Sequence, residues 1–492
     1  MRARTIVPRA VVTIVALGSP AGADTLTVGP AGDHATPCAA FAAAADGDLI
    51  EIAAGDYEGD VCAVTPSGLT IRGVGGLAHV DAAGNDAQGK AIWVVQGDDT
   101  TIENVEFSGA SVPDQNGAGI RQEGTNLTVR GCYFHDNENG ILAGDDAASE
   151  ILIEYSHFEH NGFGDGQSHN LYINHVARLI FQYNWSHRAV IGHLLKSRAA
   201  ETHVLYNRLT GENDGTESYE IDLPNGGKTY VIGNLIEQGA QTDNSSMLGY
   251  LQEGPNAANP SDALFVVNNT FVNDLGSGTF VNVGGSASTP AIIRNNVFAG
   301  GGTVTNQATA VLENNYEGAD CLIDAASFDY ELVAGSPCVD GGIDPGSNAD
   351  FSLVPAYHYV HPTSREARSS VGVLDIGAYE LGGGDAAGAP GAGGSMAEGG
   401  SAPSDAGSPG GGAPSSSGGN GGSAAGSPPG GAPGAPPDAG DDGGCGCRSP
   451  RVPGNRSSAA LLLAALALTF RRARARARGA ESRRRSPSCS ER

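Results

Sequence analysis

"FVVNNTF" (265–271) and "AIIRNNVF" (291–298) are two copies of one phrase. Two or three apolar residues precede a small polar residue, and another apolar residue follows. The phrase recurs as "TIENVEF" (101–107), "LTVRGCYF" (127–134), "ILIEYSHF" (151–158), "LIFQYNWS" (179–186), "HVLYNRL" (203–209), "YVIGNLI" (230–236) and "AVLENNY" (310–316). Aligned, the copies stack Asn104, Cys132, Ser156, Asn184, Asn207, Asn234, Asn269, Asn296 and Asn315, at spacings of 19 to 35 residues. A period in that range means one supersecondary unit per repeat. The unit has short apolar runs and Gly/Asn turns but no amphipathic helical pattern, so the expected fold is all-β, a solenoid of parallel coils. Its coils lie ~4.8 Å apart, the spacing of neighbouring strands. An Asn repeated at one bend then bonds its equivalents above and below, which gives buried polar groups their partners. Cys132 and Ser156 fit that ladder as small polar residues, so Cys132 reads as structural rather than as a reactive thiol.

Both ends differ from this body. Residues 1–23 read as a signal peptide: Arg2, Arg4 and Arg9, the apolar "AVVTIVALG" (10–18), then "AGA" (21–23) as a small-residue cleavage site. Residues 24–381 form the repeat-bearing domain. Residues 382–444 are almost only Gly, Ala, Ser, Pro and Asp. They hold too little apolar surface to offset ordering entropy and are predicted to be a disordered linker. Residues 445–492 carry "CGCR" (445–448), a short apolar helix "AALLLAALALTF" (459–470) and "RRARARAR" (471–478). The apolar run falls short of the roughly 20 residues of a full membrane span. This tail resembles the C-terminal sorting tail of secreted myxobacterial proteins. The resemblance implies export, retention at the cell surface (outer membrane) or release outside it, and sorting and processing machinery as a partner. A plain membrane anchor is the alternative.

Charge narrows the partners. The chain has 28 Lys+Arg against 55 Asp+Glu. Residues 1–23 and 448–492 hold 15 of those cations and two of the acids, which leaves 13 cations against 53 acids between them. So acidic a body does not suit nucleic acid, whose phosphates need a basic surface. Export makes Cys38 with Cys62, and Cys321 with Cys338, candidate disulfides.

Several longer phrases carry a family likeness: "PDQNGAGIRQEG" (113–124), "CYFHDNENGIL" (132–142), "GDGQSHNLYI" (164–173), "GHLLKSRA" (192–199), "SYEIDLPNGG" (218–227) and "DIGAYE" (375–380). On these the body resembles right-handed parallel β-helix proteins of the pectate-lyase-like superfamily, in particular a group of secreted bacterial members. The resemblance implies a right-handed parallel β-helix, of about 9–11 coils on the repeat count. It also implies chemistry on an acidic polysaccharide, by a monomer.

Strand alternation places the polar side chains of the middle coils. In "LYINH", Leu171 and Ile173 point inward and Tyr172 and Asn174 outward. In "LLKSRA", Leu195 and Ser197 point inward and Lys196 and Arg198 outward. In "YEIDL", Ile221 and Leu223 point inward and Glu220 and Asp222 outward. His169 and His193 lie at strand entrances, and Asn225 sits in the turn "LPNGG". One functional reading is β-elimination on a uronate polymer. Arg198 pairs with the sugar carboxylate through its bidentate fork. Lys196 takes the C5 proton, and Tyr172 or His193 returns one to the leaving oxygen. Asn174, His169 and Asn225 are candidate substrate contacts. The same group without bond cleavage would serve a C5 epimerase. A second reading makes Glu220, Asp222 and Glu253 ligands of Ca2+, although no compact calcium-loop motif is present. A third, two-carboxylate hydrolysis, has no diagnostic spacing among so many acids. The rival of another class is a non-catalytic glycan-binding or adhesion module, with Lys196 and Arg198 forming inter-coil salt bridges to Glu220 and Asp222. Eight of the 12 histidines fall between His135 and His203. Those in "YSHF", "FHDN" and "FEHNG" read as turn and stacking residues rather than metal ligands, because no tight motif such as H-E-x-x-H occurs. "DIGAYE" reads as the closure of the last coil.

Overall fold

The structure, a computed structural model, describes residues 22–382 apart from 350, 370 and 371. The signal peptide up to residue 21, the linker from residue 383 and the sorting tail lie outside the described residues. The chain divides into two compact units, Met1–Gly443 and Gly444–Arg492, and all the described residues belong to the first.

The fold is a right-handed parallel β-helix. Ten strands, from Cys62–Val64 to Thr303–Thr305, build one continuous parallel sheet, here the third sheet. The other parallel strands form two rows, the first and second sheets, which are joined at the N-terminal end. There the long strand Thr70–Asp81 pairs with both Thr100–Glu103 and Val105–Ser108. Ten strands in the third sheet agree with the coil number read from the repeat. Inward positions stack as they recur, so Phe107, Phe134 and Phe158 form a column of parallel rings with centroids 5.0 and 4.9 Å apart. That separation is close to the coil rise, so the continuous core that runs from Val28 to Val304 is built of such columns.

The amide ladder forms at the bend between the first and second sheets. The backbone N–H of each ladder residue donates to the side chain one coil on: Ser156 to Asn184, Asn184 to Asn207, Asn207 to Asn234, Asn234 to Asn269, Asn269 to Asn296 and Asn296 to Asn315, at 2.8–3.0 Å. Each Asn side chain also donates back to a carbonyl on the preceding coil, as Asn234 does to Val204 at 2.8 Å. Cys132 starts the ladder by donating its N–H to Ser156 Oγ at 3.2 Å, and its buried thiol is pushed up to about 12, which suits an inert group.

Asn104 is one residue off the alignment. Ladder residues follow a residue in the left-handed conformation, such as Gly131, Tyr155, Tyr183 or Gly233, and Asn104 itself takes that conformation at φ 56°. Val105 therefore occupies the ladder position. Asn suits left-handed backbone as readily as it suits the ladder, so the two roles look alike in sequence. A second, unforeseen ladder links Asn137, Asn161 and Asn170 at the bend between the second and third sheets.

Three other features depart from the repeat. A seven-residue helix, Pro37–Ala43, packs on the first coil. Thr36 caps its N-terminus, and Phe41 meets Trp93 edge-on at 5.0 Å. Both expected disulfides form, Cys38–Cys62 and Cys321–Cys338. "DIGAYE" does not close the last coil. It lies along the flank of the solenoid, where Asn268 Nδ2 donates to the Asp375 carbonyl and Gly377 N–H to the Asn295 carbonyl, both at 2.8 Å. The buried Arg368–Glu380 pair holds it in that place.

Replacing Asn234 by Ala strands the Asn207 backbone N–H and one of its two side-chain N–H groups in a dry bend, the other staying on the Phe181 carbonyl. The expected loss is on the order of 3 kcal/mol, read as a fall in the urea midpoint. Cys132→Ser, at the ladder's open end, is expected to stay within about 1 kcal/mol of the parent.

Candidate functional site on the third sheet

The outer face of the third sheet carries one column of aligned positions. Strand register sets Leu142, Tyr172, Lys196, Asp222 and Gly249 side by side on successive coils. Leu171, Ile173, Ile221 and Leu223 all point into the core, fully buried, so the expected alternation holds and Lys196 and Asp222 leave the coil on its outer side. They are nevertheless covered: Lys196 is 3% exposed, Arg198 5% and Asp222 4%. The side chains of Tyr172, Asp222, Asn225 and Glu253 pack against the two cations and roof this part of the column.

Under that roof the charges pair. Lys196 Nζ stands 3.5 Å from Asp222 Oδ2 and 5.3 Å from the centre of the Tyr172 ring. Arg198 spends its fork on Glu253, at 2.7 and 3.0 Å. Its Nε donates to the Tyr172 hydroxyl at 2.9 Å, and Nη1 also reaches Asn225 Oδ1. Asn225 is itself held by donating to the Gly254 carbonyl at 3.1 Å. Arg198 therefore pairs with Glu253, not with Glu220 as the inter-coil reading expected, while the Lys196–Asp222 pair is present. Burial pulls Arg198 down, but the Glu253 and Tyr172 bonds and charges outweigh it and hold the guanidinium above its ordinary value. Burial pushes Asp222 up to about 6, against the pull of Lys196.

Two imidazoles floor the site. His169 and His193 stack at 4.3 Å, and the backbone N–H of His193 donates to His169 Nδ1 at 3.0 Å. His193 Nε2 lies 3.4 Å from Asp222 Oδ2. Burial, reinforced by nearby positive charge, holds both rings well below the usual histidine range, so both are neutral. Tyr219 packs edge-on to His193 at 5.1 Å. Its ring lies 3.0 Å from where a Cβ on Gly249 would sit, so glycine at that position of the column makes room for it. Nothing in the sequence singled out Tyr219, although it stands in "SYEIDL", one of the phrases that carry the family likeness.

Two expected members do not join. Asn174 ends its strand half-buried, with its backbone N–H on the Ala143 carbonyl. Glu220 does not face outward with Asp222. Its strand begins at Ile221, so alternation does not extend to it, and its carboxylate is fully buried without a hydrogen-bond partner. Charges from Glu217 and Glu237 act on it there. The calcium set Glu220, Asp222 and Glu253 is therefore not assembled. The two carboxylates that remain are each paired with a cation, which does not fit a resident calcium ion.

Three fully buried glutamates, Glu217, Glu220 and Glu237, make stability pH-dependent. Burial pushes Glu217 up to about 7 and Glu237 up to about 8, and Glu220 well above its ordinary value. The folded chain keeps protons that the unfolded chain releases near pH 4.5. Their stabilising contribution is thus complete below that pH and is lost as pH rises towards 8. Each group gives a slope of about 1.4 kcal/mol per pH unit within its window. Glu237→Gln is expected to raise the melting temperature at pH 9 and leave it nearly unchanged at pH 4.5, checked by thermal scans at both.

Residues 65–236 match the family described as "Right handed beta helix region". That span includes Tyr172, Lys196, Arg198 and Asp222 but not Glu253. No curated protein matches the chain. Among solved structures, pectate lyase Pel9A aligns with a TM-score of 0.50 at 16% identity, over 73% of this chain and 96% of that one. An alginate lyase from Paenibacillus sp. str. FPU-7 aligns with a TM-score of 0.39 at 17% identity, over 60% of this chain and 99% of that one. At 16% identity the likeness to the pectate lyase is one of fold.

Proposed function

We propose that the β-helix acts on an acidic, uronate-containing polysaccharide outside the cell, by β-elimination at the third-sheet column. The signal-like leader and the sorting-like tail support the location. The observation that carries the chemistry is the convergence of Lys196 and Arg198 on Tyr172, on the outer side of the third sheet of an acidic body.

The roles follow from position. A uronate carboxylate exchanges with Glu253 for the Arg198 fork. Glu253 is the partner that can yield, since its side chain is 38% exposed against 6% for Arg198. Pairing with Arg198 withdraws charge from the carboxylate and makes the C5 proton more acidic. Lys196 takes that proton as the neutral amine, its own proton having passed to Asp222, the carboxylate 3.5 Å away that burial pushes up. The C5–H electron pair becomes the C4=C5 double bond, the C4–O bond breaks, and the leaving oxygen takes a proton from the Tyr172 hydroxyl. Tyr172 suits this role better than His193, whose neutral buried ring has little acidity to offer. Arg198 does the work a calcium ion would otherwise do, so no step needs one.

The test uses the full chain on a panel of uronate polymers, pectate and alginate among them, with and without a calcium-selective chelator. Absorbance from unsaturated products should appear and survive the chelator. No absorbance and unchanged polymer length on every substrate would sink the lyase reading, and retained binding would favour the glycan-binding module. Alanine variants are poor probes here, because truncating one partner of a buried pair costs on the order of 3–5 kcal/mol. Lys196→Arg keeps the charge opposite Asp222 and is expected to lower kcat about 10²–10⁴-fold, the usual weight of a general base. Arg198→Lys removes the fork and is expected to raise KM roughly tenfold. Full activity in Lys196→Arg would assign the base elsewhere.

A further inference from the structure

The second sheet carries a histidine cluster that the proposed reaction does not use. On the strand His157–Glu159 the two end residues face outward. One coil on, His187 lies directly over Glu159 and Trp185 over His157. Three corners of this two-by-two grid are metal-ligating side chains.

Their donor atoms converge. His157 Nε2 and His187 Nε2 face each other at 2.7 Å. Glu159 Oε2 lies 3.9 Å from the first and 3.8 Å from the second. A point equidistant from all three atoms lies about 2.1 Å from each, the length of a Zn–N or Zn–O bond. Hydrogen bonding alone leaves the group incomplete. If the two Nε2 atoms share one proton, His187 Nδ1 is still buried without a partner, either as an N–H lacking an acceptor or as a bare lone pair. Metal binding at both Nε2 atoms fixes each ring as the Nδ1–H tautomer. Glu212 Oε2 is then the carboxylate nearest the His187 Nδ1–H, at 3.9 Å, and a small ring shift would give the outer hydrogen bond that metal-bound histidines usually make.

The surroundings pre-form the site. Tyr133 and Trp185 stack on the two faces of His157, at 4.4 and 4.5 Å. The Tyr133 hydroxyl donates to Glu159 Oε2 at 2.9 Å, and Arg188 donates to the other oxygen at 3.1 Å. Arg188 is neutralised in turn by Glu212 and Asp214, at 2.7 and 2.8 Å, so it does not bring a free positive charge to the site. A neighbouring cluster, His79, Glu106 and His135, offers a contrast. Each of its ring nitrogens already has a hydrogen-bond partner within the fold, namely Asp56, Ser108, Asp136 or Glu106. It needs no ion.

We infer that His157, Glu159 and His187 bind a divalent transition metal of the zinc class, bridging two coils on the second sheet. Two imidazoles and one carboxylate are a zinc-type ligand set, and three protein ligands leave a coordination position open. That position faces the side where His157 is 24% exposed. The site is independent of the proposed reaction on the third sheet.

The test uses the full chain without a polyhistidine tag, its accessible thiols alkylated so that the tail cysteines cannot take up metal. After incubation with Zn2+ and buffer exchange, one zinc per chain should remain, and the melting temperature should rise. Co2+ should give the visible absorption of a nitrogen- and oxygen-ligated ion. His157→Gln, at the half-exposed corner, should lower affinity at least tenfold with the circular dichroism unchanged, and His187→Gln likewise. His79→Gln should bind as the parent does. No zinc retained by the parent, or equal retention in His157→Gln, would overturn the inference.

Discussion

The structure depends on one repeated hydrogen bond, from the N–H of a ladder residue to the side chain of its equivalent one coil on. A buried bend cannot leave its backbone donors unpaired, and the Asn side chain settles that debt with the next coil instead of with water. The run from Ser156 to Asn315 therefore fixes the rise and rotation of each coil at one corner. Length can vary only away from it. The spacings of 19 to 35 residues are absorbed in loops at the other bends. The loops that flank the third sheet supply Tyr219 and Glu253 to the Lys196 site. A rigid corner and a variable rim are thus two aspects of one constraint.

That arrangement explains which parts of the fold were legible in the sequence. The period, the ladder and the inward residues could be read because they repeat, and repetition survives ignorance of the loops. Burial of Lys196 and Arg198 could not be read. Alternation predicts the side of a strand correctly, as it did for Tyr172, Lys196 and Asp222, but it is blind to what a loop lays on top. Glu220 failed for a local reason: its strand starts one residue later, and alternation has no meaning outside a strand. Asn104 failed because one residue type serves two adjacent backbone roles.

The histidines show a different limit. Metal motifs are recognised in sequence by short spacing, because helices and tight turns bring i, i+3 or i+4 together. In a solenoid the near neighbour of a residue is one coil away. Glu159 and His187 touch through register across 28 positions, with only His157 local to Glu159. Reading the histidine of "YSHF" as a stacking residue was right as far as it went, since His157 stacks on Trp185 at 4.5 Å. Stacking runs along the column of Tyr133, His157 and Trp185, whereas the proposed ligand set crosses from it to the neighbouring column of Glu159 and His187.

The charge of the body bears on how an acidic polymer would meet the third sheet. With 13 cations against 53 acids between the two basic ends, the long-range field of the domain repels a polyanion. Attraction must therefore be local, and it must come from charges that solvent screens poorly. Buried cations meet that demand, since screening within a Debye length of ~8 Å acts on exposed charges far more than on covered ones. Lys196 and Arg198 are held neutral in sum by Asp222 and Glu253 until another carboxylate arrives, so an empty site carries no uncompensated buried charge. The exchange of Glu253 for a sugar carboxylate preserves that balance. On the proposed reading, then, Glu253 does more than occupy Arg198: it lets a fully covered guanidinium exist in the fold at all, in the orientation a uronate would need.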